Sequence, residues 1–132
     1  MRNGIFSRYS GSDQILLKDW KNGKDALKIL RAADVGEHVI YLSIISIIEI
    51  MYLAEKNKIP IKLDETLFRI GLSDNYQIVD LDVDIIQNAK TISGLELHDR
   101  LIVESARQFS LPILTNDAEI IKSKLLVTIW DG

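Results

Sequence analysis

Three acidic residues, Glu49, Asp99 and Asp117, have the type and surroundings to do chemistry. Glu49 interrupts an apolar run, where an ionised carboxylate costs several kcal/mol to bury unless a cation or hydrogen-bond donor compensates it. Asp99 opens a helical pattern, and Asp117 follows a short apolar run. Carboxylates are the ligands that Mg²⁺ and Mn²⁺ prefer, and clustered carboxylates repel each other without a cation. Together, the three acids suggest metal-assisted phosphoryl chemistry.

Each acid also has a simpler structural explanation. Asp99 could cap a helix or favour its positive end, and Asp117 could be a turn residue. Glu49 could point from its helix into solvent. His98 and Arg100, the neighbours of Asp99, are most simply surface residues. Only the combination of the three acids favours a site.

The length and composition predict one soluble domain. The chain has 132 residues and a net charge of −3, and we expect a single domain over residues 1–132, in which residues 1–20 are atypical. It contains no cysteine, which excludes disulfides and cysteine-based zinc sites, and only two histidines. Because nucleic-acid-binding domains are usually basic, contact with a nucleic acid would need a local basic patch or bound cations.

No stretch of the sequence predicts membrane insertion. The longest uncharged stretch, residues 39–48, is too short to cross a bilayer, and the first residues lack the apolar core of a signal peptide. A cytoplasmic protein is therefore the expectation.

The elements that must position the acids alternate between helix and strand. Short β-branched and apolar runs predict strands, and apolar residues at helical spacing predict helices. The predicted strands are 38–43, 77–82, 112–115 and 125–130, and the predicted helices are 24–34, 44–56, 63–74, 83–93 and 99–110. Residues 1–12 look irregular. This alternation predicts an α/β fold with a mainly parallel sheet, in which ligands bind at the carboxyl ends of the strands.

The predicted helix that carries Glu49 is apolar on every side. Such a helix needs cover on most of its surface, which hints at a second subunit.

Three pieces of the sequence, taken together, resemble the PIN domain, particularly the VapC-type toxin ribonucleases of toxin–antitoxin pairs. These pieces are ISIIEIMYL (45–53), LHDRLIVESA (97–106) and ILTNDAEI (113–120), and their order and spacing fit over roughly residues 24–132. The resemblance implies a three-layer α/β/α sandwich and an acidic pocket in which Glu49, Asp99 and Asp117 hold Mg²⁺ or Mn²⁺. It implies cleavage of single-stranded RNA by metal-activated water, in a homodimer held by an antitoxin protein. Arg100, Thr115 and Asn116 are the candidate substrate contacts.

The start of the chain departs from this family. A PIN domain's first strand is an apolar run that ends in an aspartate, which supplies the first metal ligand. Asp13 is the only acid in this region, and no strand-like run precedes it; GIFSRY (4–9) is a possible substitute strand but has no carboxylate. The strand is central in the family's sheet, so its loss would remove both a ligand and the middle of the fold.

Two other functions remain open on these grounds. The first is a catalytically impaired PIN-like binding module, which the unusual start favours and the three acids oppose. The second is an unrelated small α/β protein, such as a receiver-like domain. A receiver-like domain would need a lysine after its last strand, and the ending LLVTIWDG offers none.

Overall fold

A computed structural model describes residues 3–7, 35–58 and 62–130. These residues form five strands and five helices. The strands are β1 (Asn3–Ser7), β2 (His38–Ser43), β3 (Tyr76–Val79), β4 (Ile113–Leu114) and β5 (Thr128–Ile129). The helices are α1 (Ile44–Glu55), α2 (Leu63–Leu72), α3 (Val83–Lys90), α4 (Leu97–Gln108) and α5 (Ala118–Ser123).

The five strands form one parallel sheet in the order β3-β2-β1-β4-β5. β1 therefore lies in the middle. It pairs with β2 from Asn3↔His38 to Ser7↔Leu42, and with β4 at Phe6↔Ile113 and Ser7↔Leu114. The predicted parallel α/β fold is confirmed.

Helices cover both faces of this sheet. Successive residues of a strand point to opposite faces, and β1 shows this directly. Ile5 packs in the core beneath α1 and α2, with Ile47, Ile50 and Ile70, while Phe6 packs on the other face with Ile102, Val103 and Ile120 of α4 and α5. The sheet thus lies between two helical layers, which confirms the three-layer sandwich.

The possible substitute strand at 4–9 is present as β1, and the prediction that residues 1–12 are irregular was wrong for these residues. The segment NGIFS has only two large apolar residues and a glycine, so its local pattern indicates a strand only weakly. The glycine leaves room for a neighbouring side chain, because a Cβ at Gly4 would lie 2.8 Å from Cε2 of Tyr41 and would force the ring to shift. Pairing on both sides makes this segment a strand, and the middle of the sheet is therefore present. Asp13 lies outside the described residues.

Most other predicted elements are present but shorter. β2 has its predicted bounds, and α1 ends at Glu55, whereas the strands predicted at 112–115 and 125–130 have two residues each. α4 begins at Leu97, two residues before the predicted start, and α5 was not predicted. The helix predicted at 24–34 lies outside the described residues. None of the helices in the described ranges is long and apolar enough to cross a membrane.

Candidate active site

Two of the three acids line one cleft. The cleft has a volume of about 260 Å³, and its walls are Glu49, Glu96, Leu97, His98 and Asp99. Glu49 comes from α1, which follows β2, and the other four come from the start of α4. The sheet brings together residues that are about fifty positions apart in the sequence, and both contributing helices pack against each other.

Glu49 is held in this cleft by a histidine. Its Oε2 lies 3.2 Å from Nδ1 of His98, and about a quarter of the Glu49 side chain is exposed. Glu49 is therefore neither buried without compensation nor a freely solvated side chain. The contact ties the second turn of α1 to the first turn of α4, which limits the positions that the carboxylate can take.

Asp99 lies in the first turn of α4, where the positive end of the helix dipole favours a carboxylate. It does not cap the helix, because the N-cap position belongs to Glu96, whose side chain makes no capping hydrogen bond. Asp99 and Glu96 thus bring two carboxylates to the cleft beside the helix start. This concentration of negative charge suits a cation.

Asp117 has a clear structural role. Its Oδ1 accepts a hydrogen bond from the backbone N–H of Ile120 at 3.0 Å and so caps α5. Its own N–H donates to Oγ1 of Thr115 at 3.0 Å. Asp117 is not among the residues that line the cleft. Its place in a metal site therefore stays a prediction.

The candidate substrate contacts differ in exposure. Thr115 is fully buried and holds the turn that positions Asp117, whereas Asn116 is exposed. Arg100 is partly exposed, and its Nε is buried without a hydrogen-bond partner among the described residues. A buried N–H of this kind is costly to leave unsatisfied, so Arg100 is the candidate with an evident need for an acceptor.

The carboxyl end of β1 carries a hydroxyl where the resemblance implies an aspartate. Ser7 is the last residue of β1 and is fully buried. Ser43 at the end of β2 and Thr115 after β4 are fully buried too, and Ser43 accepts a hydrogen bond from the N–H of Ile45, which caps α1. Hydroxyl groups therefore lie at the centre of the sheet edge that is formed by the carboxyl ends of the strands.

The donor set fits a divalent cation in part. No group of three or more histidine, aspartate or glutamate side chains within the described ranges is arranged to hold one ion. The predicted shell of Glu49, Asp99 and Asp117 is thus not assembled here. Glu49 and Asp99 still offer two carboxylates to one cleft, and Mg²⁺ is commonly held by one or two carboxylates together with water and phosphate oxygens.

Comparison with known protein families shows to which family the chain belongs. The sequence matches the PIN domain over residues 14–124. The chain belongs to the PIN domain family. The match starts after β1, so the strand that departs from the family pattern lies outside it.

This PIN domain has the fold of several solved toxin–antitoxin structures. VapBC2 from Rickettsia felis bound to a promoter DNA fragment is similar with a TM-score of 0.64 and 19% identity, over 96% of this chain and 99% of that chain. A toxin–antitoxin complex from Klebsiella pneumoniae gives 0.60 and 20%, over 97% and 99%. DNA-bound VapBC from Salmonella typhimurium gives 0.62 and 15%, over 97% of each chain. No curated protein matches the sequence of this PIN domain.

His98 is exposed, as predicted, but its contact with Glu49 was not predicted from the sequence. A contact between residues 49 positions apart leaves no local pattern. The feature that could have predicted this contact is the position of His98 beside Asp99, at the start of the helix that was expected to lie near Glu49.

Proposed function

We propose that this PIN domain is a metal-dependent endoribonuclease that cleaves single-stranded RNA, as the toxin of a toxin–antitoxin pair. The observation that carries the proposal is that Glu49 and Asp99, from two different helices, line one cleft. The family membership and the similarity to toxin–antitoxin structures support it.

Glu49 and Asp99 are the residues that would hold Mg²⁺ or Mn²⁺. Asp117 is the third proposed ligand and would offer the carboxylate oxygen that does not cap α5. When bound, the ion would activate a water molecule and compensate charge on the phosphate. His98 holds the Glu49 carboxylate in place, and the start of α4 favours negative charge beside Asp99.

The proposed substrate contacts are Arg100, which follows Asp99 in α4, and the turn of Thr115 and Asn116 that precedes Asp117; none of the three is among the residues that line the cleft. Arg100 is proposed to donate from its guanidinium group to a phosphate oxygen. Asn116 is exposed and would contact the RNA directly, whereas Thr115 would act by holding the turn that carries Asn116 and Asp117. Because its substrate is RNA, we also propose that the protein works in the cytoplasm.

We expect the purified protein to cut a labelled pool of single-stranded RNA in the presence of Mg²⁺ or Mn²⁺, and to stop when EDTA is added. Gel analysis of end-labelled RNA measures the rate, and the same RNA annealed to its complement serves as the control. Cutting that continues in EDTA, or that prefers the duplex, would contradict the proposal.

A catalytically impaired PIN-fold binding module is the second candidate function. Ser7 at the end of β1 and the lack of a three-ligand group within the described ranges favour it. Calorimetric titration with Mn²⁺ separates the two candidates. A saturable site that is lost in Glu49→Gln supports the enzyme, whereas no site in a folded protein that cuts no RNA supports the binding module.

We further propose an antitoxin protein as partner, because two of the similar structures are VapBC complexes and the third is a toxin–antitoxin complex.

A homodimer is also proposed, since α1 and α2 pack together and expose large apolar side chains. These include Ile48 and Met51 on α1, and Phe68 and Leu72 on α2. Exposed apolar surface of this kind is typical of protein interfaces.

Replacing both Phe68 and Leu72 by Ser is expected to convert the dimer to a monomer, because it removes the two most exposed apolar side chains of α2. Light scattering coupled to size exclusion measures the mass. Val127→Ser is the matched control, since Val127 is 68% exposed, as is Phe68, but lies outside α1 and α2. A wild-type protein with the mass of one chain would refute the dimer.

A further inference from the structure

Tyr52 and Lys56 continue along α1 from Glu49 towards its C-terminal end. Tyr52 is 58% exposed, and the Lys56 ammonium lies 5.8 Å from the centre of the tyrosine ring. Lys58 and Lys62 follow and are exposed as well. We infer that these residues form a track for single-stranded RNA, in which Tyr52 stacks on a base and the lysines bind phosphates. This inference rests on the proposed function and adds a substrate-binding surface to it.

The helix geometry places the track beside the cleft. At 3.6 residues per turn, Tyr52 lies about 60° and Lys56 about 20° from Glu49 around the helix axis. At a rise of 1.5 Å per residue, they lie about 4.5 and 10 Å from Glu49 along that axis. Met51, on the proposed dimer surface, lies about 160° away from Glu49. Tyr52 and Lys56 thus share the side of α1 that carries Glu49.

The chemistry of the two side chains fits unpaired nucleotides. The bases of single-stranded RNA are recognised chiefly by stacking on exposed aromatic rings. The Lys56 ammonium lies over the Tyr52 ring, and 58% of Tyr52 is exposed, which leaves ring surface for a base to stack on. A base pair within a duplex cannot offer its face to a side chain in this way. The track therefore accounts for a preference for single strands.

The distribution of charge also favours RNA binding by residues outside the cleft. The protein has a net charge of −3, and Glu49, Glu96 and Asp99 line the cleft, so the cleft itself repels phosphate. Lys56 and Lys58 bring two positive charges to the end of the helix that bears Glu49, and Lys62 is the N-cap residue of α2. These lysines supply the positive charge through which an acidic protein can bind phosphates.

Binding of a dye-labelled single-stranded RNA, followed by fluorescence anisotropy in EDTA, tests the inference without any cleavage. We expect Tyr52→Ala to weaken binding about tenfold, since stacking contributes about 1–3 kcal/mol per base. Tyr52→Phe keeps the ring and should stay within about twofold of the wild type. Lys56→Gln should lower the slope of log affinity against log salt by about 0.7. Lys90→Gln, an exposed lysine at the end of α3, is the matched charge control and should change neither quantity.

Three results would overturn the inference: no RNA binding by the wild type, a Tyr52→Ala affinity within twofold of it, or a Lys90→Gln loss equal to that of Lys56→Gln. A Tyr52→Ala protein that becomes monomeric and keeps its affinity per chain would assign Tyr52 to an interface between copies instead. The failure of catalysis is a separate outcome. A protein that cuts no RNA but shows the expected pattern of binding would retain the track and lose only the proposed activity.

Discussion

Replacing Asp99 by Asn is expected to lower the rate of RNA cleavage by about 10³-fold or more, as the loss of a residue central to catalysis does in other enzymes. The substitution keeps the shape of the side chain and removes its charge. Asp99 shares the cleft with Glu49, so the change leaves one proposed carboxylate ligand there. The initial rate at saturating Mn²⁺, with protein that shows the wild-type melting temperature, is the measurement.

Asp84→Asn is the matched control for Asp99→Asn. Asp84 also lies in the first turn of a helix, so both changes lose a similar interaction with the helix dipole, about 0.3–1 kcal/mol. Asp84 lies outside the lining of the cleft, and its substitution should leave the rate within about threefold. Equal losses in the two variants would assign the effect of Asp99 to helix stability rather than to catalysis.

Ser7→Asp is expected to destabilise the protein by several kcal/mol in EDTA and to make its stability depend on metal. Ser7 is fully buried at the end of the central strand, and a buried carboxylate without a partner is costly. If the carboxyl edge binds a divalent cation, the new carboxylate gains a partner when the ion is added. An ion at a hundred times its dissociation constant restores about 2.7 kcal/mol. Urea unfolding with and without Mn²⁺ measures both quantities.

Ser7→Asn separates charge from size in this experiment. It has nearly the volume of aspartate and no charge, so its loss of stability should be the same in EDTA and in Mn²⁺. A Ser7→Asp protein that is equally unstable in both conditions would show that the end of β1 does not face the cation site.

The sequence was sufficient for the elements whose local pattern agrees with their place in the fold. β2 is a run of β-branched and apolar residues, as expected for a strand buried on both faces, and α1 follows it with a serine cap. β1 has a weaker pattern and was only a possible strand, because a five-residue segment with a glycine depends on pairing with its two neighbours. The short helix α5 was missed because Asp117 was interpreted as a turn residue, and it is the cap of that helix.

The same distinction holds for the site. Glu49 was identified because it interrupts an apolar run and Asp99 because it lies near the start of a helix, and the cleft brings the two together. The partner of Glu49 could not be predicted, since His98 is near it only through the packing of α1 against α4. The buried Ser7 could not be placed before the strand that ends in it was known.

The position of β1 also determines when the fold can form during synthesis. One neighbour of this strand, β2, follows after some thirty residues, but the other, β4, is formed by Ile113 and Leu114. While the ribosome makes the intervening chain, the edge of β1 that later pairs with β4 is open. Ile5 and Phe6 lie on the two faces of this strand, and an open, apolar strand edge can pair with other strands by mistake. The strand in the middle of the sheet is thus made before both of its neighbours and is enclosed only once β4 has been made. The carboxyl edge of the sheet therefore forms only after β4 and β5 have been made.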